Sequence, residues 1–136
     1  MAGFDQVALS TYGKSGSLQF KDKQLLETQT TIISKINSED FDCSIIVGTD
    51  PISHLPFQLS KRLCTKPLIL IDNKSSATSQ VANIVLPTAI TGIEAGGLTY
   101  RLDQVPIELI KIVNPPSNIP SDEELLTQIM EKLNNK

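Results

Sequence analysis

Apolar positions along the chain follow two periodicities. Residues 43–48 (CSIIVG), 67–72 (PLILID) and 84–86 (IVL) are short continuous runs in which β-branched and aliphatic residues dominate. Continuous rather than alternating apolarity predicts strands covered on both faces, as in a parallel sheet. Elsewhere the spacing is helical. Between residues 20 and 37, Leu25, Leu26, Gln29, Ile32, Ile33 and Ile36 fall on one face. Near the end, Leu125, Leu126, Ile129, Met130 and Leu133 form a second stripe to be buried, and Ser121 with Glu124 opens it as a capping box. A further helix is expected up to residue 63, with Ser53 as N-cap and Pro56 in its first turn, and a short one over 75–82. Residues 6–10 (QVALS) read as a first strand, and residues 105–113 (VPIELIKIV) as an extended segment. Strands and helices alternating in this way imply βαβ units with right-handed crossovers. The expected fold is one α/β domain over 1–136. It has a doubly wound, mostly parallel sheet with helices on both faces, a nucleotide-binding-like three-layer αβα arrangement.

Composition narrows the function. The chain has 136 residues, no Trp and only 4% aromatic residues, so its core must be aliphatic. Few aromatics also argue against a single-strand nucleic-acid binder, which stacks bases on such rings. Net charge is −3 and no Lys/Arg run occurs. A nucleic-acid or anionic-membrane surface needs a basic patch, so neither partner is expected. Two cysteines, Cys43 and Cys64, make neither a disulfide framework nor a zinc site. Cys43, among apolar residues, reads as a small buried hydrophobe. The N-terminus lacks the basic and apolar regions of a signal peptide, and no apolar run reaches the ~18 residues of a membrane span. A cytoplasmic location is expected.

Ligands of open parallel sheets bind beyond the carboxyl ends of the strands. Three strands end there in suggestive groups: Gly48-Thr49-Asp50-Pro51, Asp72-Asn73-Lys74 and Pro87-Thr88. Gly48 permits close approach to backbone. Asp50 and Asp72 can accept hydrogen bonds from a ribose or a purine-like edge. Both are also ordinary turn residues, so a purely structural role stands beside the ligand role. The segment from Gly92 to Thr99 is a near miss to a phosphate-binding P-loop. Leu98 stands where the lysine must be, which excludes that chemistry. His54, the lone histidine, is a candidate general base or partner of Asp50, against the plainer role of a surface residue at a helix start. No nucleophile lies beside it.

Order and spacing of these segments resemble the molybdopterin oxidoreductases. The resemblance lies in Val47-Gly48-Thr49-Asp50-Pro51 after a strand, then residues 67–72, then Ala82-Asn83-Ile84-Val85-Leu86-Pro87-Thr88. The stretch from Gly92 to Ile107, with Gly-Ile-Glu-Ala-x-Gly and Tyr-Arg-x-Asp-x-Val-Pro-Ile, is similar to the catalytic B subunit of formylmethanofuran dehydrogenases in particular. The resemblance implies a domain that helps enclose a molybdopterin guanine dinucleotide carrying molybdenum or tungsten. Gly48, Thr49, Asp50 and Pro51 would approach a guanosine or pyrophosphate arm, with Asp72 at the next strand tip and Glu94 and Gly96 in the adjoining loop. Arg101 would neutralise phosphate or pair with a carboxylate; a mutual Glu94–Arg101 ion pair is the structural alternative. The family's metal-ligating Cys or selenocysteine and its iron–sulfur site lie upstream of the matched region, and neither Cys43 nor Cys64 aligns with them. The implied protein is therefore inactive alone. It needs a partner carrying the metal-binding half, or other dehydrogenase subunits, and a homo-oligomer is possible. The implied reaction is the two-electron interconversion of CO2 and methanofuran with formylmethanofuran, or a formate-type relative. A non-catalytic binding or assembly module that kept the fold and lost the cofactor is the alternative from another class, and an independent nucleotide-binding regulator a third.

Overall fold

The computed structural model describes residues 2–26 and 30–135. Its centre is a parallel sheet of β3 (Ser44–Val47), β4 (Leu68–Asp72) and β5 (Ile84–Pro87), in that spatial order. All three apolar runs are thus strands, and the α/β class holds. Between β3 and β4 come α3 (Pro51–His54) and α4 (Phe57–Leu63), and between β4 and β5 comes α5 (Ala77–Val81). One helix was expected between β3 and β4. Pro56 divides it, because proline has no N–H to continue α3 yet is well placed to begin α4.

The first forty residues differ from expectation. The run QVALS is not a strand but part of helix α1 (Ala2–Tyr12), which lies against a later hairpin strand. Phe4, Val7 and Ala8 are spaced three and four apart, and only Ala8 is buried. Gly13, at φ 68°, closes the helix by donating its N–H to the Leu9 carbonyl. The long helix expected over 20–37 is confined to α2 (Ile32–Ser38), capped by Thr31 and Ser34. Before it, β1 (Phe20–Lys21) and β2 (Gln24–Leu25) form a hairpin. Asp22 and Lys23 turn it, both with positive φ, as a two-residue type I′ turn requires. No glycine marks that turn, so the helical spacing of the isoleucines prevails when the sequence is read alone. Gln29 lies outside the described residues.

Register assigns the side chains to two faces. Ser44, Ile46, Leu68 and Leu70 share one, and Ile45, Val47, Ile69, Ile71, Ile84 and Leu86 the other. The first face holds the core: Ile36 of α2 and Leu63 of α4 pack on Ile46, Leu68 and Leu70. The second is closed only in part. Ile71 is fully buried, but Ile45, Val47 and Ile84 are 59%, 41% and 50% exposed. Cys43 precedes Ile45 by two, shares its face, and is exposed rather than buried as expected. Burial on both faces, read from apolarity, is therefore not achieved by the described elements. The strand order follows the sequence, so the reversal that defines a doubly wound sheet is not formed by these three strands.

Past β5, β6 (Gly97–Tyr100) and β7 (Pro106–Leu109) make an antiparallel hairpin, and β7 takes up four residues of the extended segment expected over 105–113. Helix α6 (Asp122–Asn134) begins with the anticipated capping box: Ser121 and Glu124 exchange bonds between side chain and backbone. Its stripe is not buried as expected. Leu125 and Ile129 are half-buried, but Leu126, Met130 and Leu133 are 38%, 62% and 66% exposed, because the helix finds little apolar surface in this chain. No helix among the described residues is long and apolar enough to cross a membrane.

Candidate functional site at the strand tips

The carboxyl ends of β3, β4 and β5 lie side by side, so the three tip segments picked from the sequence do share one edge. At the first, Gly48 has φ 60° and donates its N–H to the Ile71 carbonyl at 2.9 Å. A Cβ there would meet nothing within 4 Å, so the glycine is required by its backbone conformation and faces open space.

Asp50 is the most heavily bonded group of the edge. Its Oδ1 accepts from the Thr78 N–H (3.0 Å) and the Thr78 hydroxyl (2.6 Å). Its Oδ2 accepts from the Ser53 hydroxyl (2.6 Å) and the Ala77 N–H (3.3 Å). Ala77 and Thr78 open α5, whose first N–H groups have no partner within the helix. A carboxylate from the β3 tip thus caps the helix that follows β4. The Thr78 hydroxyl, fully buried, also accepts from the Ile52 N–H at 3.2 Å, which closes the link back to α3. Hydrogen bonds from Ser53 and then Thr78 hold the Asp50 carboxyl well below its ordinary value of 3.8, against a smaller opposing effect of burial. Ser53, read as a helix N-cap, instead donates to Asp50, which itself occupies the cap position of α3. His54 does meet Asp50, through its backbone: the ring Nδ1–H donates to the Asp50 carbonyl at 2.6 Å.

Asp72, at the β4 tip, is 6% exposed. Its Oδ1 accepts from the Asn73 N–H at 2.8 Å, while its buried Oδ2 meets no donor among the described residues. Across the β5 tip, Thr88 is 4% exposed and its hydroxyl also lacks a partner there. The two residues are joined by backbone, the Thr88 N–H donating to the Asp72 carbonyl at 3.3 Å. Two buried polar atoms without partners on adjacent tips are unusual, because burial without a hydrogen bond is costly. They are an acceptor and a hydroxyl closed off from solvent as the tips stand, so a ligand would reach them only where the tip segments part.

The loop beyond Thr88 is a tight turn. Its centre is the Ile90 carbonyl, which accepts from the N–H groups of Ile93, Glu94 and Ala95. Glu94 folds back so that its carboxylate accepts from the Ile90 N–H at 2.9 Å. Arg101 sits at the β6–β7 turn and pairs with Asp103 at 2.7 Å, so the mutual Glu94–Arg101 bridge considered from sequence is not formed. Gly97 and Thr99 of the P-loop near miss lie within β6, with a strand rather than a helix after them. Gly96 has an internal reason to be glycine: a Cβ there would stand 2.9 Å from the Leu109 carbonyl oxygen. Gly96→Ala is expected to force the hairpin strands apart and to cost about 1–3 kcal/mol. Urea unfolding of the purified variant checks this; an unchanged midpoint would refute it.

Thr78 and Thr88 are the members of this edge absent from the site residues chosen by sequence. Thr88 is visible there as the end of a strand. Thr78 carries no signal, since its role depends on a carboxylate 28 positions away.

No protein-family model matches the chain. Among curated proteins it is 34% identical over 133 residues to the B subunit of the tungsten-containing formylmethanofuran dehydrogenase 2 of Methanocaldococcus jannaschii, covering 96% of this chain and 31% of that protein. The protein of the same name from Methanococcus maripaludis is 33% identical over the same length, with the same shares covered. The chain thus spans just under a third of the length of these relatives. The tips of β3, β4 and β5 and the loop to Arg101 all fall in a chain that, over nearly its whole length, is similar to part of the B subunit of formylmethanofuran dehydrogenase.

Proposed function

We propose that this chain is a single α/β unit forming one wall of a molybdopterin guanine dinucleotide site in an enzyme of the formylmethanofuran dehydrogenase type. On this reading it is inactive alone and works with a partner that carries the metal-binding half. The relatives' names specify tungsten, which makes that metal the first candidate and molybdenum the second. The cofactor, when bound, supplies the metal-centred two-electron chemistry; the reaction would be the reversible conversion of CO2 and methanofuran to formylmethanofuran. A cytoplasmic location goes with this reading, and the two exposed free thiols suit a reducing compartment.

What carries the proposal is the pair of buried, partnerless polar atoms at the strand tips, Asp72 Oδ2 and Thr88 Oγ1, in a chain similar to part of such an enzyme. A carboxylate acceptor suits the N–H edge of a guanine, and a neighbouring hydroxyl suits either edge or ribose. Gly48 leaves its backbone open to an approaching ligand, and Thr49 stands exposed beside it. Asp50 and Pro51 serve by holding this tip in shape, since both oxygens of Asp50 are already engaged. Glu94 and Gly96 shape the adjoining loop. Arg101, held on the hairpin by Asp103, is available to a phosphate by exchanging that exposed pair.

Calorimetric titration with GMP, GDP and a molybdopterin guanine dinucleotide preparation tests the reading, using the wild type, Asp72→Asn and Thr88→Val. Guanine-specific binding should be lost in Asp72→Asn and weakened about tenfold in Thr88→Val, the usual worth of one hydrogen bond. Absence of binding to the wild type at millimolar ligand would favour the alternative, an assembly module that kept the fold without the cofactor.

A further inference from the structure

Among the described residues β3 is an outermost strand of the parallel sheet. Ser44 and Gly48 donate their N–H groups inward, to the Pro67 and Ile71 carbonyls, each at 2.9 Å. Backbone groups alternate sides along a strand, so Ile45 and Val47 direct theirs outward. No strand meets them there among the described residues. Such a row of unpaired N–H and C=O groups is a template for another strand.

This edge opens into a groove of about 560 Å³. Ile45 and Val47 line it from one face of the sheet and Ile46 from the other, together with Ile32, Ile33 and Ile36 of α2. Among the described residues Lys35 is the one charged side chain along it, and its amine is paired with Asp40. The Ser44 hydroxyl, also on the groove, is buried without a partner among them. An unpaired strand edge, apolar side chains above and below it, and an unmet hydroxyl together match an extended apolar segment.

We propose that the outer edge of β3 takes an apolar strand from the partner that carries the metal-binding half, extending the sheet to four strands. This deepens the proposed function and rests on its partner. The choice of occupant follows from length and burial. The relatives continue for roughly another two-thirds of their length beyond the matched part. A body of that size can supply both the strand and the cover that Cys43, Ile45 and Val47 lack, as parallel sheets require. A second copy is the poorer occupant, because two four-residue strands paired about a two-fold axis bury far less than the ~1,000 Å² of a stable interface.

The test co-expresses this chain with the unmatched two-thirds of the Methanocaldococcus jannaschii relative. It measures the affinity of the pair by analytical ultracentrifugation and the amide exchange of β3. A complex in which the Ile45 and Val47 amides become protected is expected. Ile45→Pro, which removes an outward N–H while leaving the bonds to β4, should weaken it at least about tenfold. Ile45→Lys should do the same should the proline variant fail a circular-dichroism check of folding. Phe57→Lys, at an exposed position of α4 on the opposite face of the sheet, should bind as wild type. A complex that forms without protection of Ile45 and Val47, and that Ile45→Lys does not weaken, would overturn the inference while leaving the proposed partner in place. Failure to form any complex would overturn both. Self-association of this chain alone, protecting the same two amides, would assign the edge to a second copy and overturn it too.

Discussion

Asp50→Ala is expected to lower the thermal midpoint by several degrees at neutral pH, with a gap to wild type that closes on acidification. The reason is the number of donors released together. Two hydroxyls and two N–H groups, from Ser53, Ala77 and Thr78, lose their acceptor, and Thr78 is fully buried. A stranded buried donor costs more than the bond itself contributed. The direction with pH follows from the carboxyl's lowered titration point. Its contribution is complete above the ordinary value of 3.8 and is lost progressively as the pH falls from there through the lowered folded value, because the unfolded chain takes up the proton first. Wild-type and variant midpoints should therefore differ most near neutrality and converge in acid. Asp50→Asn, which keeps one acceptor oxygen, should fall between them. Melts followed by circular dichroism from neutrality down through that range would decide it. A constant gap at every pH would mean that the carboxylate charge is not what ties β3 to α5.

Leu70→Ala is expected to cost about 2–5 kcal/mol, the range for emptying a filled aliphatic site. Leu70 is fully buried at the centre of the middle strand, packed with Ile46, Leu63 and Leu68. The core has no large aromatic side chain among its buried members to collapse into the space. Against a typical total of about 5–15 kcal/mol, such a loss brings the isolated chain close to unfolding at about 37 °C. Ile45→Ala, at a position 59% exposed, should cost far less in the isolated chain. Chemical denaturation of both variants would show the contrast. Equal losses would mean that the outer face of β3 is closed in solution. The contrast bears on function too, since it separates residues that hold the fold from residues that await a partner.

The strand tips show how far sequence reasoning carries. Gly48, Asp50 and Asp72 are legible because a parallel strand must end, and its ligand edge lies where it ends. Which of the two acids is occupied is not legible. Asp50 is satisfied by Thr78, 28 positions on, while Asp72 retains an open oxygen, and only the packing of α5 against the β3 tip decides between them. Similarly, the stripe on α6 is apolar as expected and its capping box does start a helix. Its burial is a property of whatever the helix meets, and this chain offers it little.

By itself, the sequence determined three strands of a parallel sheet, the positions of their tips and the resemblance to the B subunit of formylmethanofuran dehydrogenase. These rest on local signals: continuous β-branched runs, turn residues that stop them, and motif spacing along one chain. It did not determine that 6–10 is helical, that Asp22 and Lys23 turn a hairpin, or that one face of β3 is left part-exposed by the described residues. Each of those depends on distant partners, such as the hairpin beneath α1 or the layer over Ile45 and Val47 that the described residues do not supply. Apolarity records what a residue must eventually bury against, and only the tertiary structure shows which of those surfaces this chain provides for itself.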